Sequence, residues 1–213
     1  MKISKFVVNP IGENTYILWN EDKREAAVVD PGMMNGEERA AVDSFVAKNK
    51  LDVKMVLMTH LHFDHAASAR YVADRYGAKV YAGKADELLG KALPSQAQMF
   101  GVGVKLSPLV IDEVITGGDV LALNGEEIKV LATPGHTPGG MSFYLPQSGV
   151  VLVGDTLFSQ SIGRTDLPGG DYGEIVNSIK TELFVLPGET VVLPGHGGST
   201  TIDDEKSYNP YIR

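Results

Sequence analysis

Thr59-His60-Leu61-His62-Phe63-Asp64-His65 packs three histidines and an acid into one short stretch. It directly follows Met55–Met58, an apolar run that reads as a strand. In an extended segment, residues two apart point to the same side. His60 and His62 can therefore present two imidazoles to one ion. Asp64 repeats the two-residue step, and His65 opens a helix expected to start near Ala66. The chain changes direction there, so Asp64 and His65 can face a second ion. Outward from this stretch, the remaining histidines sit in Pro134-Gly135-His136-Thr137-Pro138-Gly139 and Pro194-Gly195-His196-Gly197-Gly198. Each follows another apolar run, Ile128–Ala132 and Val191–Leu193. All five histidines thus lie on strand-end loops, where a rigid scaffold positions binding residues. Their Gly and Pro neighbours permit sharp turns and close backbone approach. Asp155 ends a further apolar run, Val150-Val151-Leu152-Val153-Gly154-Asp155. A carboxylate there is costly unless it is paired or bound to a cation, which makes Asp155 the natural bridge between two ions. Five imidazoles and two carboxylates are enough for two divalent metal ions. Nitrogen and oxygen donors suit zinc, iron or manganese without selecting among them.

Further strands are expected at Ile3–Val8, Thr15–Trp19, Ala26–Val29, Lys79–Ala82, Val120–Leu123, Met141–Leu145 and Val150–Val153. Several are continuous, valine-rich apolar runs, as in strands covered on both faces. Helical spacing of apolar residues marks Glu37–Asn49, Ala66–Tyr76 and Ile175–Leu183, and more weakly Ala85–Leu93. Strands and helices mixed in this way imply a layered α/β fold with helices outside the sheets. The stretch Pro94–Pro108 is the least regular. It reads as a surface connection, or as a rim loop over a site.

The 213 residues carry a formal net charge of −8, with 43% hydrophobic and 22% charged residues. These are proportions of a soluble globular protein, long enough to bury its own core. The cysteine count is 0, which excludes disulfides, thiolate zinc sites and a cysteine nucleophile. No apolar run approaches the ~18–20 residues of a membrane span. The acidic balance and scattered Lys and Arg argue against nucleic acid as a partner. Met1-Lys2-Ile3-Ser4-Lys5-Phe6 lacks the apolar stretch of a secretory signal, so a cytoplasmic location is the expectation. The oligomeric state has no signature in the sequence.

Thr59–His65, followed in order by His136, Asp155 and His196, resembles the metal motif of the metallo-β-lactamase superfamily. Gly154-Asp155-Thr156-Leu157-Phe158, Ser161-Ile162-Gly163-Arg164-Thr165-Asp166 and Pro194-Gly195-His196-Gly197 are similar to its glyoxalase II (hydroxyacylglutathione hydrolase) branch. The resemblance implies a four-layer αββα sandwich with metals at one edge of two sheets. It implies that His60, His62 and His136 hold a first metal, that Asp64, His65 and His196 hold a second, and that Asp155 bridges them. Zinc is the first expectation, with iron or manganese as alternatives. Full-length glyoxalase II enzymes add a helical C-terminal glutathione-binding domain. This chain ends soon after His196, so it resembles the short type, one domain over residues 1–213 without that addition. True β-lactamases carry Cys or Ser where Asp155 stands, and flavodiiron proteins carry Glu at the position of His62.

Two bridged cations lower the pKa of a shared water from about 15.7 to near 7, giving a bridging hydroxide that attacks a carbonyl. Asp64 is the candidate for orienting that nucleophile. With all five histidines used as ligands, no imidazole remains to protonate a leaving amine or alkoxide. A thiolate, whose parent pKa is about 8.5, leaves without that help. That favours thioesters or activated esters over amides and phosphodiesters, and the resemblance implies a small thioester, S-lactoylglutathione being the test substrate of the branch. Tyr172 and Tyr208 are the candidate proton donors that would widen this choice. A mononuclear-iron oxygenase of the persulfide dioxygenase type is the alternative, since those relatives share the motif and a similar Gly-Arg-Thr-Asp segment. Asp30, at the end of Val28-Val29-Asp30, is a candidate to orient a ligand imidazole, or is a simple turn former. Arg164 is a candidate for a substrate carboxylate, or an ion-pair partner of Asp166.

Overall fold

Alternating side chains set the layering. The computed structural model describes residues 1–212. The first sheet holds, in chain order, β1 (Lys2–Val8), β2 (Glu13–Trp19), β3 (Glu25–Val29), β4 (Asp52–Leu57), β5 (Lys79–Gly83) and β6 (Glu113–Ile115). β1 to β3 pair antiparallel and β3 to β6 parallel. Ile17, Ala26, Val28 and Val56 pack on one face, and Leu18, Ala27, Val29 and Leu57 on the other. This is the two-residue period of a pleated strand buried on both sides.

In the second sheet, β7 (Val120–Leu123), β8 (Glu126–Ala132), β9 (Met141–Leu145) and β10 (Val150–Gly154) form an antiparallel meander. A small hairpin follows, β11 (Leu157–Phe158) with β12 (Ser161–Ile162). β13 (Val191–Pro194) then joins β10 in parallel, and β14 (Thr200–Thr201) completes the edge. Leu152 faces the first sheet, where it shares a core with Phe143, Leu18 and Leu57, while Val151 and Val153 face the opposite way.

Helices cover the outer faces. On the first sheet lie α1 (Gly36–Lys48), α2 (Phe63–Ala66) and α3 (Ala69–Tyr76), followed along the chain by the short α4 (Glu87–Lys91) and by α5 (Leu93–Met99). On the second lie α6 (Tyr172–Ser178), which continues as a wider π-type stretch Ile179–Leu183, and α7 (Ile202–Tyr208). The architecture is the expected four-layer αββα sandwich. No helix among the described residues is long and apolar enough to cross a membrane.

All ten expected strands are present. β6, β11, β12 and β14 are added, each too short to show a periodic pattern. Two expectations, one helical and one irregular, need correction. Ala66–Tyr76 is not one helix, because the Ser68 amide donates to the Pro31 carbonyl (2.8 Å) and breaks the helical ladder between α2 and α3. Pro94–Pro108 is irregular only after Met99. Its first part is helical, with Pro94 in the first turn, where a missing N–H costs nothing.

Candidate metal centre

Parallel pairing brings the site together. β3 and β4 run side by side, as do β10 and β13, so their C-terminal ends deliver Asp30, His60, Asp155 and His196 to one rim. Open α/β sheets bind ligands at that end. The His136 loop follows β8 and closes the circle.

His60, His62 and His136 offer ring nitrogens that all lie within 4.8 Å of one another, and Asp64, His65 and His196 offer ligand atoms with the same spread. Asp155 stands between the two groups. Its Oδ1 is 3.4 Å from His65 Nε2, and its Oδ2 is 3.7 Å from both His136 Nε2 and His196 Nε2. All seven residues singled out from the sequence therefore meet at one locus. A third grouping, Asp30 with His60 and His65, is equally tight, but Asp30 is already engaged. Its Oδ1 accepts from the Thr59 amide (2.7 Å), and its Oδ2 from Thr59 Oγ1 (2.5 Å) and His65 Nδ1 (3.1 Å). It acts as an anchor that aims His65 Nε2 inward, the orienting role considered for it.

The donors suit divalent cations. His60 Nε2, His65 Nε2 and Asp155 Oδ1 are buried without a hydrogen-bond partner, which is costly unless something else engages them. His136 Nδ1 donates to the Arg164 carbonyl (2.8 Å), which leaves Nε2 with its lone pair facing His62 Nδ1 at 2.9 Å. Two ring nitrogens at that distance share either a proton or a cation. Burial, reinforced by neighbouring imidazoles, keeps His60 well below the ordinary histidine range and brings His62 down to about 4. Both rings are therefore neutral at neutral pH, the form in which an imidazole can ligate a cation. Burial would also depress His65, but Asp155 and Asp64 hold it well above the usual value. Burial would raise Asp155, but His65 pulls it down. The carboxylate side of the site thus calls for positive charge.

Two glycines let the backbone come this close. A Cβ on Gly195 would stand 2.4 Å from Asp155 Oδ1 and 2.5 Å from His65 Cε1. Gly154 has φ +51°, and a Cβ there would meet Thr59 Oγ1 at 2.2 Å, so only glycine fits without strain.

Sequence reasoning missed the supports beneath these ligands. Asp86, fully buried, accepts from the Leu61 amide (3.1 Å), Thr137 Oγ1 (2.8 Å) and the Gly139 amide (2.6 Å). It ties the His60–His62 segment to the His136 loop. Asn14 Nδ2 donates to the Pro194 and Gly197 carbonyls, and Tyr16 Oη to the Pro194 carbonyl, which fixes the His196 loop to β2. Glu13, also fully buried, accepts from Thr15 Oγ1, and its Oε1 lies 3.9 Å from His65 Nδ1.

The ligands open into a cleft of about 200 Å³ whose other walls are Ile11, Phe63, Phe100, Arg164 and Leu167. Phe100, at the end of α5, places the middle of the Pro94–Pro108 segment on the rim. The Arg164 guanidinium forks onto Asp166 with two bonds of 2.7 Å, the ion-pair reading of that residue. Tyr172 and Tyr208 are exposed and stand outside the cleft lining, and Tyr172 Oη donates to the Tyr211 carbonyl.

Residues 8–196 match the family model of the metallo-β-lactamase superfamily. The chain belongs to that superfamily. The likeness read from Thr59–His65 is thus borne out for the family, and the αββα fold is that of the superfamily. Within it, the chain is 35% identical to the hydroxyacylglutathione hydrolase GloC of Haemophilus influenzae, over 100% of this chain and 98% of that protein. Among solved superfamily members, the structure of the BLEG-1 B3 metallo-β-lactamase superposes with a TM-score of 0.89 at 33% identity, covering 99% of each chain. That of TTHA1623 in a di-iron-bound form superposes with a TM-score of 0.85 at 33% identity, covering 98% of this chain and 99% of the other.

Proposed function

We propose that this protein is a metal-dependent hydrolase that cleaves a small thioester, as the name of its Haemophilus relative suggests. The observation that carries the reading is the pair of three-residue clusters with Asp155 between them. His60, His62 and His136 would hold one divalent ion, and Asp64, His65 and His196 the other, with Asp155 touching both. The one-iron oxygenase alternative shares the motif, so the number of ions bound separates the two. Zinc fits the donor set, as do iron and manganese, and a di-iron form exists in TTHA1623. Bound divalent ions supply Lewis acidity and a nucleophile at neutral pH.

The chain's own residues do the rest. Asp64 keeps one edge toward the cleft, and its Oδ2 lies 3.2 Å from His196 Nε2. It is the carboxylate placed to orient an attacking water. Phe63, Phe100, Ile11 and Leu167 line the cleft with apolar surface, which strengthens charge interactions inside by excluding water. The titratable side chains lining the cleft are the five proposed ligands there and Arg164. None is a free acid for an amine or alkoxide leaving group, and a thiolate needs none.

The test is the full chain, with metal content measured on untreated protein, assayed on a thioester, an amide (a β-lactam among them) and a phosphodiester. The expected result is two ions per chain, thioester turnover that exceeds the other two, and loss of activity with a chelator that metal restores. A phosphodiesterase or lactamase rate well above the thioesterase rate would overturn the leaving-group argument. One iron per chain with oxygen consumption would restore the oxygenase.

A further inference from the structure

A second groove of about 200 Å³ adjoins the metal cleft, walled by Leu89, Ala92, Met99 and Phe100 on one side and Leu167 and Pro168 on the other. His62, Phe100 and Leu167 border both spaces, so whatever fills the groove continues to the ligand histidines. Its polar side chains are spent on the backbone. Gln96 Oε1 accepts from the Phe63 amide and Nε2 donates to the Leu89 carbonyl (2.8 Å), while Ser95 Oγ donates to the Ala92 carbonyl (2.9 Å). No lysine or arginine is among the described residues that line the groove. Arg164, across the cleft, is held by Asp166. An anionic tail would therefore meet no free cation here. Apolar surface, by contrast, is offered openly. Met99 is 74% exposed and Phe100 44% exposed beside the reaction site. Phe100 is also held in place, stacked on Phe63 at 5.1 Å between centroids. Phe63 itself sits between His62 and Asp64 in the chain, so the groove wall packs directly on the metal-site segment.

We infer that this groove binds an uncharged, apolar arm of the thioester substrate. The inference rests on the hydrolase reading for the word thioester, and on the groove alone for the apolar arm. The arm belongs either to the acyl group or to the thiol, and two substrate series separate these. One lengthens the acyl chain on a constant small thiol, from acetyl to hexanoyl. The other lengthens an alkyl thiol under a constant acetyl group.

In the metal-loaded full chain, kcat/KM is expected to rise in one series by roughly fourfold per methylene until the groove is filled, the effect of burying one CH₂. Met99→Asp and Leu89→Asp flatten that slope. Leu88→Asp, on an exposed residue outside the groove lining, keeps it. Calorimetric binding of the matching uncleavable thioethers gives a readout that needs no turnover, with Kd tightening by the same factor. If thioesters are cleaved but neither series depends on length, the groove assignment is wrong and the hydrolase reading stands. If nothing is cleaved while the thioethers still tighten with length in the parent and not in Met99→Asp, the groove stands and the hydrolase reading falls. A dimer that Met99→Asp abolishes, with no length dependence in either series, would give the groove to a second copy of the chain and overturn the proposal.

Discussion

Asp30→Asn isolates the tautomer of one imidazole. The two side chains have the same shape, so the fold is retained while the hydrogen-bond polarity changes. Asp30 now receives three donors, the Thr59 amide on Oδ1 and Thr59 Oγ1 with His65 Nδ1 on Oδ2. An asparagine cannot serve all three. If its oxygen keeps the Thr59 amide, its NH₂ faces His65 Nδ1. That nitrogen must then accept, and the ring proton moves to Nε2, the atom that faces Asp155 at 3.4 Å and Asp64 at 3.8 Å. A protonated Nε2 cannot ligate a cation. If the amide flips, its NH₂ opposes the Thr59 N–H, and a buried donor is stranded at about 1–3 kcal/mol. Loss of such an orienting partner typically weakens metal binding 10- to 100-fold, about 1.4–2.8 kcal/mol. The assay is competition with a chromophoric chelator on the metal-loaded protein, followed as two release steps. The expected result is one step unchanged and one weakened by that factor, with the far-UV spectrum unaltered. Two release steps identical to those of the parent would refute the claim that Asp30 sets the His65 tautomer.

Two further substitutions probe the supports. Asp86→Ala strands the Leu61 and Gly139 amides and the Thr137 hydroxyl in a buried site. At about 1–3 kcal/mol for each unsatisfied group, a stability loss of roughly 3 kcal/mol or more is expected in urea unfolding, and a loss below about 1 kcal/mol would contradict the anchoring role. Gly195→Ala pushes a methyl against Asp155 and His65. Metal analysis should read fewer than two ions per chain and turnover should fall at least tenfold, with the far-UV spectrum unchanged. Retention of both ions and full activity would mean that the β13 loop yields more easily than its tight packing suggests.

The metal-centre residues were legible because ligation demands particular side chains at particular steps. His60 and His62 announce a shared direction, and every histidine follows an apolar strand. The layering was legible for a similar reason, since Val28-Val29 and Val151-Leu152-Val153 can be continuous apolar runs only if both faces are covered. The α2–α3 break was not legible. Ala66–Tyr76 keeps helical spacing throughout, and what interrupts it is a long-range bond from the Ser68 amide to the Pro31 carbonyl. Local propensity carries no record of such a partner.

The same reasoning explains which supports stayed hidden. Asp30 could be suspected because it ends an apolar strand in the manner of Asp155. Asp86 lies in Gly83-Lys84-Ala85-Asp86-Glu87, where a solvent-facing acid at a helix start is the ordinary expectation. Its burial depends on Gly139, whose own Cβ would stand 2.6 Å from the Asp86 amide. The carboxylate and the glycine select each other across the fold, and neither is informative alone. Glu13 and Asn14 similarly open a strand, and their value comes from the His196 loop arriving beside them. Groups suited to hold a cation are thus constrained by chemistry and visible one segment at a time. Groups that hold the ligands are constrained by tertiary neighbours and become visible only in pairs. A single sequence will therefore show a metal centre more readily than the hydrogen bonds that set its geometry, and the substitutions that most clearly separate structure from ligation are those at Asp30 and Asp86.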